Sequence, residues 1–325
     1  MKILLVRLDG IGDALACTPL IAALRDVGHQ LGVALTQRNA AIFARSTFAW
    51  THVLDRKPWP AHGHARADVE ATIAHATEIG YDLALVASEE PDAYRLAQRC
   101  APQRVGFING WEKPLKSLVG RRALTRAIVR PAAAARAREH EVETLFALGA
   151  GLHAEAAPTR ELHRLRPLVV DGGAGERGPI ALQLGAKWTA MKIDRAQLGE
   201  WIRALHTAGP IRLLASGAEA SEVGAVRDFL LDAAHAVDAT VFDGEPGMRA
   251  WKRAIAEAAV LVTPDTGAAH VAGMTGTPCV DLFPDEPHVA AQMRRWAPWA
   301  SPSALLVADP HAPVVAAARE LCARS

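Results

Sequence analysis

The sequence has little of what marks secreted, metal-binding or membrane-spanning proteins. No Cys-x-x-Cys motif and no Cys/His cluster occurs, so the pattern disfavours zinc fingers and disulfide scaffolds and fits a reducing compartment. The four cysteines are far apart, at Cys17, Cys100, Cys279 and Cys322. No apolar run approaches the roughly 20 residues that a membrane-spanning helix needs, and an apolar start of about six residues before Asp9 is not typical of a signal peptide. We therefore expect a cytoplasmic protein, whose contact with a membrane can only be peripheral.

An excess of charge of one sign is also lacking. The 36 lysines and arginines nearly balance the 35 aspartates and glutamates, which leaves a formal net charge of +1. We therefore expect no nucleic-acid partner. Hydrophobic residues make up 50% of the 325 residues, which is enough for sizeable buried cores, and this length suits two α/β domains.

Positive charge is nevertheless concentrated in one segment, residues 95–138, in which Glu112 is the single acidic residue. The basic residues of this segment are Arg95, Arg99, Arg104, Lys113, Lys116, Arg121, Arg122, Arg126, Arg130, Arg136 and Arg138. Two interpretations stay open: a solvated basic surface, or a landing site for an anionic acceptor or an anionic membrane face.

The first half of the chain alternates between strand and helix patterns. A short apolar run at 2–8 is followed by a turn with glycines and by a helical pattern at 14–28, which predicts strand, tight turn and helix. Further strands are predicted at 32–35, 82–87 and 104–107, and further helices at 67–79 and 139–152.

The second half repeats this alternation after a poorly periodic segment, 153–178, which we interpret as the domain linker. Strands are predicted at 179–184, 211–216, 260–265 and 278–283, and helices at 195–207, 219–234, 248–258, 266–276 and 312–323. Such an alternation predicts an α/β protein with two parallel sheets wrapped by helices. The predicted domains are 1–165 and 166–325, and the terminal helix is a candidate for packing back on the first domain.

The first candidate site is the turn Asp9-Gly10-Ile11-Gly12-Asp13 after the first strand. Gly10 and Gly12 allow a sharp turn and a close approach to a ligand. A dinucleotide fingerprint is not indicated, because Leu15 stands where its third glycine belongs. At the junction of strand and helix, Asp13 is either a general base for an attacking hydroxyl or a helix N-cap.

The second candidate site is the segment TPDTGAAHVAGMTGT at 263–277. Thr266 is a candidate N-cap of the helix that follows. The amides of Gly267, Ala268 and Ala269 are then expected to point out of the helix end, where they and the helix dipole bind phosphate. His270, in the first turn, is either a packing residue or a hydrogen-bond donor to a leaving group.

The third candidate site, LGAKWTAMK at 184–192, follows a predicted strand. It offers Gly185, the hydroxyl of Thr189 and two lysines, Lys187 and Lys192, at the end of a strand where ligands of open α/β sheets bind. A lysine there can neutralise a departing diphosphate. The alternative is an ordinary exposed loop.

Together the three segments resemble the bacterial heptosyltransferase family, glycosyltransferase family nine. The opening MKILLVRLDGIGDALACTPLIAALR is similar to the family's amino-terminal signature. IALQLGAKWTAMKIDRAQLGEWI resembles its central segment, and LVTPDTGAAHVAGMTGTPCVDLF resembles its donor-site signature. The resemblance covers residues 1 to 300 in the family's order.

This resemblance implies a GT-B architecture, in which two Rossmann-like domains place parallel sheets across a cleft. It implies an inverting glycosyltransferase that moves a sugar, in this family a heptose from ADP-heptose, onto a lipopolysaccharide-core or related acceptor. The amino-terminal domain is then the acceptor domain and the carboxy-terminal domain binds the donor.

The resemblance also assigns roles to individual residues. Asp13 matches the catalytic base, and Lys192 matches the lysine that contacts the donor diphosphate, a role that Lys187 is also placed to share or take. The donor-binding residues expected around them are Gly185, Lys187, Thr189, Asp265, Thr266, Gly267, Ala268, Ala269 and His270. On the acceptor side we expect Gly10, Gly12, Arg121 and Arg122.

The chain departs from the family at the loop of Pro284, Asp285 and Glu286, where the family usually has glycine and then threonine or serine, so the sugar and the nucleobase stay open. No Asp-x-Asp motif occurs, and we expect no metal and no cofactor. The expected partners are a nucleotide-diphosphate sugar and an anionic glycolipid or sugar acceptor, bound by a monomer. A sugar-nucleotide epimerase of the same architecture and a non-catalytic nucleotide-sugar-binding protein are the alternatives.

Overall fold

The chain divides into two compact units, Met1–Arg160 and Glu161–Ser325. The division falls slightly before the boundary expected at 165/166. The computed structural model describes residues 1–55, 63–131, 139–173, 175, 177–216, 238–242 and 244–324. The predicted helix at 219–234 lies outside the described residues, as do Arg136 and Arg138 of the basic segment.

The first unit is built on a parallel six-stranded sheet with the strand order β3-β2-β1-β4-β5-β6. Its strands are β1 (Lys2–Val6), β2 (Gln30–Thr36), β3 (Trp50–Leu54), β4 (Leu83–Val86), β5 (Gln103–Ile108) and β6 (Arg126–Val129). Its helices are α1 (Ile11–Leu15), α2 (Thr18–Asp26), α3 (Arg66–Ile79), α4 (Pro91–Cys100), α5 (Pro114–Ala123) and α6 (Glu141–Phe146), with 3₁₀ turns at Gly110–Glu112 and Ala147–Gly149.

The second unit repeats this plan, with the strand order β12-β11-β10-β7-β8-β9 in a parallel sheet. Its strands are β7 (Ile180–Gln183), β8 (Ile211–Ser216), β9 (Asp238–Phe242), β10 (Leu261–Pro264), β11 (Cys279–Phe283) and β12 (Ser303–Val307). Its described helices are α7 (Leu162–Val169), α8 (Lys187–Ala190), α9 (Arg195–His206), α10 (Gly244–Ala256), α11 (Gly267–Thr275), α12 (Val289–Trp296) and α13 (Val314–Ala323). The predicted fold class, α/β with two Rossmann-like parallel sheets, is confirmed.

Each sheet has one point at which the strand order reverses. In the first unit it lies between β1 and β4, and in the second between β7 and β10, because both pairs are hydrogen-bonded neighbours although they are distant in sequence. Ligands of open α/β sheets bind outside the carboxyl ends of the strands at such a point. The loops that follow β1, β7 and β10 carry all three predicted sites, so the topology places the candidate residues where this architecture binds ligands.

Several predicted boundaries are wrong. The helical pattern at 14–28 is broken into α1 and α2, and Pro19 lies at the start of α2, where its missing N–H costs nothing. The predicted helix at 139–152 ends at Phe146 and continues as a 3₁₀ turn. The linker expected at 153–178 contains α7, whose Pro167 occupies a position near the end of the helix.

The helix that begins at the second unit's candidate site is held tightly in place. All residues of α11 from Ala268 to Thr275 are buried. A Cβ atom at Gly273 would lie 2.5 Å from the backbone nitrogen of Trp299, so only glycine fits this close approach. The carbonyl of Gly273 also accepts a hydrogen bond from the backbone N–H of Ala300 at 2.9 Å. The amino terminus of α11 is therefore anchored by backbone packing behind it.

The terminal helix α13 packs on α9 and on strands β10, β11 and β12 of its own unit. Val314, Ala318 and Leu321 belong to that hydrophobic core. Within the part of the chain that the structure describes, no helix combines the length and the apolarity needed to cross a membrane.

Candidate functional site

A buried arginine organises the carboxyl end of the first sheet. Arg7 follows β1 directly, and its side chain is only 2% exposed. Its Nη2 donates to Oδ1 of Asp13 at 2.7 Å, and its Nε donates to the backbone carbonyl of Asp13 at 3.1 Å. Its Nη1 donates to the backbone oxygen of Ala87 after β4 and lies 3.3 Å from Oδ2 of Asp9. One guanidinium thus joins the ends of β1 and β4 to the turn that carries Asp13.

A second arginine extends this arrangement. Oε1 of Glu141, in α6, lies 3.8 Å from Nη2 of Arg7 and 2.8 Å from Nη1 of Arg130. Nε of Arg130 donates to Oε1 of Glu89 at 2.6 Å, and Nζ of Lys116 lies 3.4 Å from Oε2 of Glu89. We refer to these side chains as the arginine cluster, which comprises Arg7, Asp9, Asp13, Glu89, Lys116, Arg130 and Glu141.

Burial and charge shift the pKa values within the arginine cluster in different directions. Burial opposes the charge on Arg7, but Asp13 and Asp9 outweigh it and raise the pKa of Arg7. Burial also raises the pKa of Asp9, more than Arg7 lowers it. At Glu89 burial is overcome by the charge and hydrogen bond of Arg130, so the pKa of Glu89 is lowered. The two arginines are therefore permanent cations that hold the acids around them.

The cluster lines a cavity of about 340 Å³. Its walls are formed by Arg7, Asp9, Asp13, Glu89, Glu90, Pro91, Lys116 and Arg130. The side chain of Asp13 is 34% exposed, and its Oδ2 accepts one long hydrogen bond, 3.2 Å, from the backbone N–H of Gly10. A carboxylate oxygen has two acceptor sites, so this oxygen retains the capacity to accept a proton from a hydroxyl group in the cavity.

The structure changes one of the two sequence interpretations of Asp13, that of a helix N-cap. The N-cap of α1 is Gly10, and Asp13 lies three residues later, in the first turn. Its carboxylate reaches back to the N-cap N–H as an acidic residue does in a capping box. Gly12 lies within the same short helix. The prediction that Asp13 is itself the N-cap is wrong, since it caps the helix from inside, and its role as a base stays a prediction.

The basic residues of segment 95–138 that the structure describes occupy three kinds of position: in contacts that stabilise the fold, in the cavity lining and on the exposed surface. Arg104 stabilises the fold, because its Nε donates to the backbone oxygen of Ala123 at 2.6 Å. Of the segment's basic residues, the cavity lining includes Lys116 and Arg130. Arg121 and Arg122, expected on the acceptor side, are exposed in the last turn of α5 and do not belong to that lining.

In the second unit, Thr266 is the N-cap of α11, as predicted. Its Oγ1 accepts from the backbone N–H of Ala268 at 3.4 Å and lies 3.1 Å from Oγ1 of Thr263. The N–H of Ala269 donates to the backbone oxygen of Thr266 at 3.1 Å. Of the three amides expected to point at a ligand, those of Ala268 and Ala269 are thus engaged within the helix end, and that of Gly267 lies at its tip.

Lys187 lies against the same helix end. Its Nζ is 3.0 Å from Oδ2 of Asp265 and also donates to the backbone oxygen of that residue. The lysine is placed by Trp188, which is buried and donates from Nε1 to the backbone oxygen of Gln183 at 2.8 Å. The predicted loop after β7 is therefore the short helix α8, with Gly185 buried before it and Thr189 exposed on it.

Lys192 lies beyond α8, and its side chain is exposed. Its backbone has φ of 63°, a left-handed conformation that is unfavourable for a residue other than glycine. The conformation is held by the hydrogen bond from its N–H to the backbone oxygen of Thr189 at 2.9 Å and by the burial of Met191 and Ile193 on either side. The two lysines therefore occupy different environments, and it is Lys187 that the fold brings to Asp265.

His270 is a packing residue in this structure. It is 6% exposed, and its ring lies edge-to-face on Trp296 with the ring centroids 5.6 Å apart. Its predicted hydrogen bond to a leaving group stays a prediction.

Sequence reasoning missed a buried acid beside this helix end. Asp281 is fully buried in the middle of β11, in register with Thr263 of β10. Neither of its carboxyl oxygens has a hydrogen-bond partner among the described residues. Burial raises the pKa of Asp281 well above its ordinary value, Asp265 raises it further, and Lys187 lowers it. Burial beside the Lys187–Asp265 pair therefore favours the protonated form of Asp281 in the folded protein.

The roles of Arg7, Glu89 and Glu141 were missed as well. Two of the missed residues could have been found in the sequence, because a single charge in an otherwise apolar strand indicates a buried charge. Arg7 is such a charge at the end of the first strand, and Asp281 is one inside the run CVDLF. Glu89 and Glu141 carried no such signal, because their partners are distant in sequence. An acid at the start of a helix is commonly an exposed charge that suits the helix dipole, whereas the structure buries Glu141 between two arginines.

A larger cavity of about 580 Å³ lies along α10 in the second unit. Its cations are committed to the fold. Nζ of Lys252 donates to the backbone oxygen of Val169 at 2.6 Å, and Nη2 of Arg253 donates to that of Asp171 at 3.2 Å. These bonds satisfy carbonyls at the carboxyl end of α7, so the cavity is not a candidate site. The described residues contain no group of three or more His, Cys, Asp or Glu side chains arranged to hold a metal ion.

The buried acid leads to a prediction about stability. Above the ordinary pKa of 3.8, the folded protein keeps a proton on Asp281 that the unfolded chain has lost. The free energy of unfolding therefore falls as pH rises, by at most about 1.4 kcal/mol per pH unit, until pH reaches the raised pKa. Asp281→Asn removes this loss, so its stability relative to the parent should increase steadily above pH 4.

Urea unfolding of the full chain between pH 4 and pH 8 measures this difference. Glu200→Gln, which removes an exposed acid from α9, is the matched control and should follow the parent at every pH. Parallel curves for the parent and Asp281→Asn would show that the acid is ionised or partnered in the folded protein.

Comparison with known proteins identifies the family of this chain. Residues 73–316 match the family model of glycosyltransferase family 9 (heptosyltransferase). Among curated proteins, no sequence gives a significant match.

Solved structures share the fold over most or all of the chain. The structure of E. coli ADP-heptose lipopolysaccharide heptosyltransferase II is 17% identical with a TM-score of 0.72, and the match covers 100% of this chain and 99% of that one. E. coli heptosyltransferase WaaC with ADP is 18% identical with a TM-score of 0.70, at the same coverage. A glycosyl transferase family 9 protein from Veillonella parvula is 15% identical with a TM-score of 0.66, over 94% of this chain and 85% of that one. At these identities the likeness shows the fold, which is GT-B, while the family model matches most of the chain. The chain therefore belongs to glycosyltransferase family 9, the heptosyltransferases.

Proposed function

We propose that this protein is an inverting heptosyltransferase that moves a heptose from ADP-heptose onto a lipopolysaccharide-core or related anionic acceptor. Family membership supports the reaction class. The choice of donor is supported by the structurally similar E. coli proteins, one named for ADP-heptose and one solved with ADP and with ADP-2-deoxy-2-fluoro heptose.

The observation that carries the proposal is the position of Asp13. One carboxylate oxygen is fixed by the buried guanidinium of Arg7 at 2.7 Å, and the residue lines a cavity at the switch point of the first sheet. A general base must be held within hydrogen-bond reach of the hydroxyl that it deprotonates. Asp13 is suited to this role because Arg7 fixes one carboxylate oxygen, while Oδ2 keeps acceptor capacity for a hydroxyl group.

The acceptor is proposed to bind in the first unit. Lys116, with 39% of its side chain exposed, reaches into the cavity from α5. Arg121 and Arg122 stand at the other end of the same helix and offer further positive charge. A phosphorylated or otherwise anionic acceptor sugar fits this distribution of charge.

The donor is proposed to bind in the second unit. The diphosphate lies at the amino terminus of α11, where the N–H of Gly267 and the helix dipole favour negative charge. Lys187 holds the Asp265 loop in place, and Lys192 meets the departing phosphate. Gly185 and Thr189 flank Lys187 in the segment after β7.

The proposed chemistry is a single displacement. The acceptor oxygen attacks the anomeric carbon while Asp13 takes its proton. The bond between that carbon and the diphosphate oxygen breaks, and ADP leaves with the bonding electron pair. The helix amide and the lysine stabilise the charge that develops on the diphosphate, and no metal takes part.

The base is tested with Asp13→Asn. The amide keeps the shape and the hydrogen bond to Arg7 but cannot take the proton, so turnover should fall by about 10²–10⁴-fold. Acceptor-dependent ADP release from ADP-heptose measures this loss, and ADP binding measured by calorimetry should stay unchanged.

Glu78→Gln, an exposed acid on α3, is the matched control. Full activity of Asp13→Asn would refute the proposed base. Donor turnover without acceptor would indicate an epimerase, and tight donor binding without turnover would indicate a binding protein.

The proposed roles of Lys187 and Lys192 can be distinguished by the kinetics of their variants. Lys187→Met frees the Asp265 loop, so it should raise KM for the donor with a smaller effect on kcat. Lys192→Met removes charge that acts only as the bond breaks, so it should lower kcat by about 10²-fold or more. Arg195→Met, an exposed cation at the start of α9, is the control. The reverse pattern would exchange the two roles.

A further inference from the structure

A cluster of apolar side chains lies exposed around α5 in the first unit. These side chains are Trp111 (95% exposed), Leu115 (81%), Val129 (60%), Val119 (56%) and Leu118 (49%). Single exposed apolar residues are common on protein surfaces, whereas a group of them marks an interaction site. We refer to this group as the α5 patch.

The helix shows that the exposure is a property of one face. Ser117, Gly120 and Ala123 are the buried residues of α5, and a Cβ at Gly120 would lie 2.9 Å from Ile108 of β5. Leu115, Leu118 and Val119 are spaced three and four residues apart, so they form a stripe on another face. A surface helix normally presents polar residues to solvent, and α5 presents apolar ones.

Two further residues continue the stripe beyond the helix. Trp111 lies in the 3₁₀ turn that precedes α5, and Val129 ends β6. The two segments meet, because a Cβ at Gly110 would lie 3.2 Å from Cγ1 of Val129. The patch therefore extends from α5 across the turn to the edge strand β6.

Exposed cations surround the apolar side chains. Lys113, Arg121, Arg122 and Arg126 are all exposed, and Glu112 is the single acid of residues 111–130. Lysine and arginine side chains near a membrane surface are attracted to anionic lipid headgroups. Tryptophan favours the boundary between headgroups and acyl chains, and leucine and valine favour the acyl region.

We propose that the α5 patch docks the protein on an anionic lipid surface, with Trp111 and Leu115 inserted and the surrounding cations on the headgroups. Charge complementarity selects this occupant. A second copy of the chain would bring two identical basic rims together, and such like-charge contacts are unfavourable.

The α5 patch lies close to the cavity that Asp13 lines. The role that we infer for docking, delivery of a glycolipid acceptor to this cavity, rests on the proposed function. Lys116, on the same helix, is 3.4 Å from Glu89 in the cavity that Asp13 lines. A lipid surface at α5 therefore brings the headgroup sugar of a glycolipid acceptor next to the cavity. Docking itself needs neither donor nor transfer, so the two proposals can fail separately.

Co-sedimentation of the full chain with vesicles tests the docking, without donor or acceptor. One set of vesicles is phosphatidylcholine and the other is phosphatidylcholine with phosphatidylglycerol. The parent should bind the anionic vesicles and lose binding as salt rises. The double variant Trp111→Ser/Leu115→Ser should bind at least about 10-fold more weakly. Arg121→Gln/Arg122→Gln should also bind about 10-fold more weakly, and its binding should depend less on salt than that of the parent.

Two controls separate the patch from general surface properties. Val27→Ser/Val53→Ser removes apolar residues of the first unit that are 49% and 38% exposed outside the patch, and Arg25→Gln removes an exposed cation of α2. Both should bind as the parent does, and thermal melts should show that all variants are folded. Equal binding by every variant, no binding by the parent, or a concentration-dependent dimer that Trp111→Ser/Leu115→Ser abolishes would each overturn the proposal.

Discussion

The first unit depends on the pairing of one buried guanidinium, that of Arg7, with the carboxylates around it. An unpaired charge with so little exposure would cost several kcal/mol, so the side chain is tolerable only while its partners stay in place. Those partners come from the turn after β1 and from α6, while a backbone carbonyl after β4 completes the set. The hydrogen bond between Arg7 and Asp13 therefore both compensates the buried charge and orients the proposed base. Stability and the proposed chemistry depend on this one interaction.

The sequence carried enough information for the architecture and for the locations of the sites. Local signals sufficed there: an apolar strand, a turn with glycines and the N-cap Thr266 each act within a few residues. The edge strands β6 and β12 were not predicted, because they are only partly buried and their hydrophobic patterns are weak. The arginine cluster escaped notice for another reason. Arg130 and Glu89 are 41 residues apart in the chain, and only the order of the strands brings them together.

The second unit shows the same limit at its donor loop. The two lysines of α8 and its flank look equivalent in sequence, but the burial of Trp188 directs one of them to Asp265, 78 residues away. Lys192 is exposed and has a left-handed backbone conformation, which the residue types of this segment do not predict. Asp281 adds an acid with a raised pKa next to the pair, and the shift arises from burial, which a sequence motif does not describe.

The central claim is that Asp13, fixed by Arg7, acts as the base of a single displacement at the anomeric carbon. The stereochemistry of the product tests this most directly, because one displacement inverts the configuration and two displacements through a covalent intermediate retain it. Proton NMR of the first product formed from ADP-heptose and acceptor measures the anomeric configuration. The account predicts a configuration opposite to that of the donor, and a product with the donor's configuration would contradict it.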